Sequence, residues 1–354
     1  MTQTAAIIGT GAPSPDDDHY AMGYYHGEAY RSLDNVDLVA CADTERSRAI
    51  EFGKEFEIPA ERCYTTHEEL LADQLPDIVS ICVPPKYHAE LFSDCADAGV
   101  RAVHCEKPMA KTWEECEEMA AVAEKAGVQL TFNHQRRFAK PFQAAKRELQ
   151  SGRIGELQQI EFGGPNLYDY GTHSFDLSGY FVGDVSPSWV LSQVHYSEEN
   201  VLFGEHNENQ AVVVWEYENG VHGLGTTGKP TGGDVVGCHH RLRGTKGSIE
   251  IGVGFPPMLD GPQLRIRDET GEEIRSFEHI GLELKITTRS IEAAIEGMES
   301  ETIPSHSVKN AIKSTSLIFG AWESARRRKR IEFPLNIKSN PLEEMVKNEE
   351  IQPH

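Results

Sequence analysis

An aspartate and a histidine are four residues apart in the stretch YDYGTHSFDLSGYFVG, as Asp169 and His173. Residues at this spacing share one face of a helix, so the two side chains can act together. Histidine titrates near neutral pH and can take a proton from a hydroxyl group, while the aspartate can orient the imidazole or hold a hydroxyl. Taken alone, such a pair is more often a solvated surface pair. Asp176 repeats the helical spacing three residues after His173. A role beside His173 and a role as a helix-surface or capping acid explain it equally well.

Lys107 follows the apolar run VRAVHC and stands between Glu106 and Pro108. The run is typical of a buried strand, and ligands bind at the carboxyl ends of strands in open α/β sheets. An ammonium group there can polarise a substrate oxygen and help to transfer its proton. The alternative is a surface lysine that pairs with Glu106.

A possible nucleotide loop follows the strand-like run Ala5–Ile8. Gly9 and Gly11 provide the tight turn and the close backbone approach that a pyrophosphate needs. The next glycine, Gly23, opens a helical pattern, and the insert APSPDDDHYAM separates it from Gly11. We interpret the loop as an interrupted nucleotide site rather than an ordinary turn. Asp16–Asp18 should face solvent or a neighbouring domain or subunit, and a cation held by DDDH is the less favoured alternative.

Asp43 ends the second predicted strand, VDLVACAD. A carboxylate at this place binds both ribose hydroxyls of the adenosine and repels a 2′-phosphate. This favours NAD over NADP, although Arg46 nearby keeps NADP open.

The elements that must position these residues change in kind near residue 138. Before it, apolar strands alternate with helices, which predicts a parallel sheet covered on both faces. After it, one helix leads into strands without intervening helices, and two helices follow. We predict an α/β protein with an N-terminal Rossmann domain (1–138), a C-terminal α+β domain with a large, mainly antiparallel sheet (139–335) and a polar tail (336–354).

Composition limits the possible partners. The chain has 354 residues, with 56 acidic residues against 34 Lys plus Arg, a formal charge of −22. This argues against nucleic acid, which needs a basic face, and suggests a halophilic protein, with an acidic mesophilic enzyme as the alternative. No run is long and apolar enough to span a membrane, we expect no secretion signal, and the seven cysteines form no CxxC pair. We therefore expect a cytoplasmic protein.

The Glu-Lys-Pro motif at 106–108 resembles the signature of the Gfo/Idh/MocA family, which includes glucose–fructose oxidoreductase and inositol dehydrogenase. Five stretches, the first of which contains this motif, are similar to family segments in the same order: SICVPPKYHAELFSDCADAGVRAVHCEKP, QSGRIGELQQIEF, DYGTHSFDLSGYFVG, RGTKGSIEI and FGAWESARRRKRIEFPL. The resemblance runs from Ala5 to about Leu335. The opening loop departs from it, with roughly nine extra residues.

The resemblance implies an NAD-dependent enzyme that oxidises a secondary alcohol or hemiacetal carbon of a sugar, polyol or related hydroxy compound. Lys107 and His173 would assist proton transfer, Asp169 would support His173, and the Lys107–Pro108 bond would be cis. The expected cofactor contacts are Gly9, Gly11, Gly23, Asp43, Pro84, His88, Glu106 and Asn133. The expected substrate contacts are Lys107, Arg137, Asn166, Tyr168, Asp169 and His173.

Two other functions are compatible with the same scaffold: an NAD-retaining glycoside hydrolase that uses transient oxidation, and a non-catalytic sensor. Retention of Lys107, Asp169 and His173 argues against the sensor. The broad second sheet suggests a homodimer or homotetramer, and specificity should lie in loops such as TTGKPTGGDVVG. We predict no metal site, because the adjacent His239 and His240 should point to opposite faces of a strand.

Overall fold

The computed structural model describes residues 2–12, 21–228, 235–253, 264–277 and 282–353. The chain divides into two compact units. The first unit contains residues 1–111, 115–135 and 283–311, and the second contains residues 112–114, 136–282 and 312–354.

The first unit is built on a six-stranded parallel sheet with the order β3-β2-β1-β4-β5-β6. Its strands are β1 (Gln3–Ile8), β2 (Val36–Ala42), β3 (Cys63–Tyr64), β4 (Ile78–Ile81), β5 (Ala102–Cys105) and β6 (Gln129–Phe132). Its helices are α1 (Met22–Arg31), α2 (Arg46–Glu55), α3 (His67–Gln74), α4 (His88–Ala98) and α5 (Trp113–Ala126). The apolar runs form these strands because their side chains are buried, as in β4 and β5, where all the residues are buried.

The second unit contains a nine-stranded sheet with the order β16-β15-β14-β13-β7-β12-β11-β8-β17. All the pairings are antiparallel except that of β7 with β12. The strands of the unit are β7 (Leu157–Gly164), β8 (Pro187–His195), β9 (Val201–Leu202), β10 (Glu205–His206), β11 (Gln210–Tyr217), β12 (His222–Gly228), β13 (Cys238–Gly244), β14 (Gly247–Val253), β15 (Leu264–Asp268), β16 (Gly271–Arg275) and β17 (Ile331–Glu332). Strands β9 and β10 form a separate hairpin. The predicted fold class is confirmed.

The two faces of this sheet differ. Helices α6 (Lys140–Gln150) and α7 (Gly171–Val182) pack on one face, where Phe175 of α7 contacts Phe162 at a ring-centroid distance of 5.0 Å. On the other face Leu191 and Val212 are exposed. The alternation of side chains along each strand separates the two sets.

Helix α8 (Leu282–Ser300) groups with the first unit, which the predicted boundary at residue 138 did not anticipate. Ile291 and Ile295 are buried in the core of that unit, and Gln129 donates to the carbonyl of Ala294 at 2.7 Å. Helix α9 (Val308–Arg327) then begins in the first unit and continues in the second.

The predicted polar tail contains a further helix, α10 (Pro341–Lys347). The Asn340 side chain accepts from the backbone N–H groups of Leu342 and Glu343, and Leu342 is buried. An asparagine followed by proline is a helix-start signal, which the prediction of a polar tail without a helix did not take into account. Within the described ranges, no helix combines the length and the hydropathy needed to cross a bilayer.

Candidate active site

The glycine loop after β1 leaves no room for a side chain at Gly9. Gly9 and Gly11 have φ values of +89° and +68°, which favour glycine. A Cβ on Gly9 would lie 2.5 Å from Cγ1 of Val83 and 2.8 Å from the carbonyl oxygen of Cys82. The loop therefore lies directly against the end of β4.

Gly23 performs the packing role expected of the third glycine. A Cβ there would lie 2.7 Å from the carbonyl oxygens of both Gly9 and Thr10. The start of α1 thus packs against the loop as in a dinucleotide fold, despite the insert. The predicted orientation of Asp16–Asp18 concerns residues outside the described ranges, as does part of the TTGKPTGGDVVG loop.

Asp43 connects the end of β2 to the glycine loop. Its Oδ2 accepts from the backbone N–H of Thr10 at 3.0 Å, the Thr10 hydroxyl at 3.0 Å and the N–H of Gly11 at 3.1 Å. Its Oδ1 accepts from the N–H of Glu45 at 3.0 Å, which leaves lone-pair capacity on this oxygen for a ribose hydroxyl. Arg46 instead donates to the carbonyl of Cys63 at 2.7 Å.

A cavity of about 490 Å³ adjoins this loop within the first unit. Its lining includes Gly9, Gly11, Asp43, Arg48 and Pro84. Small-molecule sites commonly have this volume. A loop with no space for a side chain at Gly9 and a carboxylate with a free lone pair, both beside a cavity, together fit an NAD molecule.

Glu106 is held by a buried network that sequence reasoning missed. Its Oε1 lies 3.0 Å from Nε2 of His26, on α1, and accepts from the Asn133 side-chain amide at 2.6 Å. Burial alone would raise the pKa of Glu106, but His26, the Lys107 charge and Asn133 outweigh it, and the pKa is lowered. Glu106 is therefore a buried, ionised acid, and Asn133 is one of its partners.

The other nitrogen of His26 continues this network. Nδ1 of His26 lies 2.9 Å from the Ser80 hydroxyl, which lies 2.8 Å from the Tyr30 hydroxyl. When Nε2 of His26 donates to Glu106, Nδ1 can accept from the Ser80 hydroxyl, which in turn can accept from the Tyr30 hydroxyl. All three hydrogen bonds then point towards Glu106. No local motif marks His26, because its partners are distant in sequence.

Lys107 follows this acid directly. The Lys107–Pro108 bond is cis, which confirms that expectation. The backbone N–H of Lys107 donates to Oε2 of Glu106 at 3.2 Å. The acid thus holds the backbone at the base of the lysine side chain.

His88 is buried at the start of α4, with both ring nitrogens close to backbone carbonyls. Nε2 lies 2.8 Å from the Val83 oxygen and Nδ1 lies 3.1 Å from the Met109 oxygen. Burial lowers the pKa of His88. These contacts give His88 a structural role, and its contact with the cofactor stays a prediction.

In the second unit, α7 begins at Gly171, so Asp169 lies in the turn before the helix and His173 in its first turn. His173 is buried and Asp169 is half-buried. The N–H of His173 donates to the carbonyl of Tyr170 at 3.1 Å, which continues the helical geometry backwards into the turn. The spacing had predicted that both residues lie in one helix. Only His173 does, and Asp169 precedes the helix.

The turn before α7 is held by buried polar groups. Oδ1 of Asn166 accepts from the N–H of Tyr170 at 2.8 Å, and Glu208 accepts from the N–H of Leu167 at 2.6 Å. Tyr168 is buried, and its ring packs against Trp322 at 5.5 Å. Asn166 and Tyr168 therefore build the turn, and these contacts do not support direct binding of sugar hydroxyls.

Arg137 is also a positioning residue in this structure. Its guanidinium forms a two-pronged pair with Asp176 of α7, at 2.7 and 2.8 Å, and contacts Asp184 at 2.9 Å. Arg137 and Asp176 are both buried. With its charge balanced by two carboxylates, Arg137 is poorly suited to the predicted substrate contact, and Asp176 is a buried partner rather than a surface acid.

His239 and His240 do not point to opposite sides, which corrects the argument made from strand alternation. Both are buried, and their rings stack at a centroid distance of 4.8 Å. Gly252, opposite His239, has a φ of +65°, and this pair is missing from the β13–β14 register. The local irregularity alters the alternation. In the described part of the chain, no group of three or more His, Cys, Asp or Glu residues is arranged to hold a metal.

Comparisons with known proteins match both halves of the chain to one family. A family model described as "Oxidoreductase family, NAD-binding Rossmann fold" matches residues 4–134, and one described as "Oxidoreductase family, C-terminal alpha/beta domain" matches residues 146–333. Both are Gfo/Idh/MocA models.

Individual proteins are similar over most of their length. Myo-inositol 2-dehydrogenase of Thermotoga maritima is 26% identical over 74% of this chain and 80% of its own. D-apiose dehydrogenase of Paraburkholderia graminis is 24% identical over 87% of this chain and 86% of its own. An Agrobacterium radiobacter oxidoreductase, crystallised with NAD+, L-tartaric acid and magnesium, has a TM-score of 0.77 at 20% identity, over 94% of this chain and 98% of that one.

Proposed function

The chain belongs to the Gfo/Idh/MocA oxidoreductase family, and from that premise we propose that it transfers hydride between nicotinamide and a secondary alcohol or hemiacetal carbon of a sugar, polyol or hydroxy acid. It is an NAD-binding oxidoreductase that acts on a CH–OH group. The observation that carries the proposal is the Lys107 backbone anchored to a buried, ionised Glu106 at the end of β5. When bound, NAD supplies the hydride acceptor.

The chain's own residues would hold the cofactor and move the proton. Gly9, Gly11 and Gly23 admit the pyrophosphate, and Asp43 receives the ribose. The Asp43 carboxylate disfavours a 2′-phosphate, and Arg46, which might have favoured one, is bound to a backbone carbonyl. NAD is therefore preferred to NADP.

Lys107 would stabilise negative charge on the substrate oxygen, since an ammonium group favours a developing alkoxide. His173 would accept the hydroxyl proton, and Asp169 would orient His173 or hold a neighbouring hydroxyl. Support for these roles comes from residue chemistry and from the family motif. The contacts of Asn166, Tyr168 and Arg137 suggest that these residues shape the turn and helix that carry Asp169 and His173.

The test is a panel of sugars, polyols and hydroxy acids, followed by NADH absorbance, with NAD and NADP run side by side. Lys107→Ala should abolish turnover of any accepted substrate, while binding of NADH, followed by its fluorescence, changes little. Lys86→Ala is a matched control, because Lys86 is an exposed lysine of the same unit.

Unchanged turnover in Lys107→Ala would disprove the proposed mechanism. Release of an aglycone from a glycoside without net NADH would replace the dehydrogenase by the glycosidase. Ligand binding without either reaction would indicate a sensor.

We also propose that the exposed sheet face of the second unit binds a second copy of the chain, giving a homodimer or homotetramer. Leu191 and Val212 are exposed there, at 42% and 54%. Nearby on the same face, Glu161 pairs with Arg241 and Arg243. Such a mixture of apolar and paired charged groups suits an interface. Light scattering after size exclusion in salt should show more than one chain, and Val212→Arg should reduce the mass to that of a monomer.

We place the enzyme in the reducing cytoplasm, because all seven cysteines are free and six of them are buried.

A further inference from the structure

Arg136 is a half-buried cation, and the two side chains that it contacts in the described structure, His239 and Tyr170, are neutral. Its Nη1 donates to Nε2 of His239 at 3.0 Å, and its guanidinium carbon lies 4.3 Å from the centroid of the Tyr170 ring. Across the described ranges, no carboxylate forms an ion pair with Arg136. Its neighbour Arg137, by contrast, binds two carboxylates.

The histidine that holds Arg136 is uncharged. Burial lowers the pKa of His239 well below its usual value, and His240 and Arg136 lower it further. Since a guanidinium can only donate, Nε2 of His239 must accept, and its proton must be on Nδ1. That N–H faces Nδ1 of His240 at 2.6 Å.

The donor chain then ends on helix α7. Nε2 of His240 donates to the carbonyl oxygen of Ser174 at 3.0 Å. The proton positions in the three hydrogen bonds Arg136–His239, His239–His240 and His240–Ser174 are therefore defined. Burial likewise lowers the pKa of His240, to about 3, and keeps it neutral. A neutral acceptor orients the guanidinium and leaves its positive charge in place, whereas a carboxylate would neutralise that charge.

The contacts of Arg136 involve residues that are next in sequence to those proposed to act on substrate. Tyr170, under the guanidinium, follows Asp169 directly, and Ser174, at the end of the chain of imidazoles, follows His173 directly. A partly desolvated cation that pairs with none of the described carboxylates attracts an anion, and the guanidinium fork matches the two oxygens of a carboxylate. The chain has 56 acidic residues, yet none of the described carboxylates pairs with Arg136.

We propose that Arg136 binds a carboxylate group of the substrate, so that the enzyme acts on polyhydroxy acids, such as aldonates or uronates, in preference to neutral sugars. This rests on the proposed dehydrogenase function. One positive charge balances one carboxylate, whereas a phosphate dianion needs a second cation. The adjacent arginine, Arg137, cannot be that second cation, because Asp176 and Asp184 already neutralise it.

The test compares acids with neutral partners of nearly the same shape: D-glucuronate with D-glucose, D-galacturonate with D-galactose, and D-gluconate with D-glucitol. Binding to the NADH-loaded full-length protein is measured by calorimetry, and oxidation by NADH absorbance. In at least one pair the acid should bind roughly tenfold more tightly or better. D-Glucose 6-phosphate is the phosphate probe.

Arg136→Met should weaken binding of the preferred acid by roughly 10- to 100-fold and leave its neutral partner within about twofold. Arg136→Lys should recover part of the loss, since it restores the charge without the fork. Arg147→Met is the matched control, because it removes an exposed arginine of α6 in the same unit, and it should change neither ligand.

Equal binding of acids and neutral partners by the wild-type protein would overturn the proposal without any variant. So would an equal effect of Arg136→Met on both, or tighter binding of the phosphate probe than of every acid. If an acid binds through Arg136 but no compound is oxidised, the proposed function fails and this site stands. If only neutral compounds are oxidised and bound, the site fails and the function stands.

Discussion

Nε2 of His26 lies 3.0 Å from Oε1 of Glu106, although 80 residues separate them in the chain. His26 is on the first helix and Glu106 follows the fifth strand, next to Lys107. The imidazole and the Asn133 amide bind the same carboxylate oxygen, which keeps a buried acid ionised beside the proposed catalytic lysine.

Replacing His26 by Phe should impair turnover more than NADH binding. Glu106 would lose its imidazole partner, so its pKa would rise and the acid limb of the pH profile of kcat should move to higher pH. Tyr30→Phe removes only the hydroxyl group that is farthest from Glu106 in this series of hydrogen bonds, so it should shift the acid limb of the pH profile less. A profile that stays in place while stability alone falls would assign His26 a packing role.

Breaking the Arg137–Asp176 pair should strongly destabilise the second unit. Arg137→Met leaves the buried Asp176 carboxylate without its cation, and such a loss costs about 3–5 kcal/mol. Arg101→Met removes an arginine that is half exposed and pairs with Asp77, so it should cost about 1 kcal/mol or less. Urea unfolding of both variants provides the comparison, and similar losses would contradict the assigned role.

Stability should fall as the pH rises through the titration of Glu208. Burial raises the pKa of this acid to about 7, although Leu167, Trp322 and Thr227 donate to it. A pKa raised on folding means that the folded state holds the proton more tightly. The stabilisation is therefore complete below the unfolded pKa, near 4.5, and is lost as the pH passes about 7.

The loss should be on the order of 3 kcal/mol. Glu208→Gln cannot titrate, so urea unfolding at a series of pH values should show a smaller decline between about pH 5 and about pH 8 for this variant than for the wild type. Parallel curves would show that Glu208 is not the responsible group.

Replacing Asp43 by Asn should reduce the preference for NAD. The amide oxygen can still accept from the glycine loop, but the charge that repels a 2′-phosphate is lost. Fluorescence titration with NADH and NADPH should show the ratio of the two dissociation constants moving towards NADPH by about tenfold. Asp37→Asn, on the exposed part of β2, should leave the ratio unchanged.

Salt should stabilise the protein. The formal charge of −22 produces self-repulsion, and the Debye length falls from about 10 Å at about 0.1 M salt to about 3 Å at about 1 M. The melting temperature in KCl should therefore rise over this range. Maximum stability at low salt would count against a halophilic protein.

The sequence alone determined the features that depend on local geometry. Continuous apolar runs between helices predicted the parallel sheet, because strands buried on both faces need apolar residues throughout. Gly9 and Gly11 predicted a tight loop, because only glycine readily adopts its positive φ values. The apolar run before Lys107 predicted its place at the end of a strand, and the resemblance of the Glu-Lys-Pro motif to the family signature implied the cis bond that follows it.

The tertiary structure alone decided which polar groups meet. His26 reaches Glu106, Arg137 pairs with Asp176 and Asp184, and Arg136 rests on a neutral His239. The pattern of a chain shows which residues are buried, but the partner of a buried charge depends on how distant segments pack. Arg136 and Arg137 are adjacent in the sequence, yet Arg137 is neutralised and Arg136, as we infer, binds a ligand. This difference depends on the packing of distant segments, and the two residue types alone do not determine it.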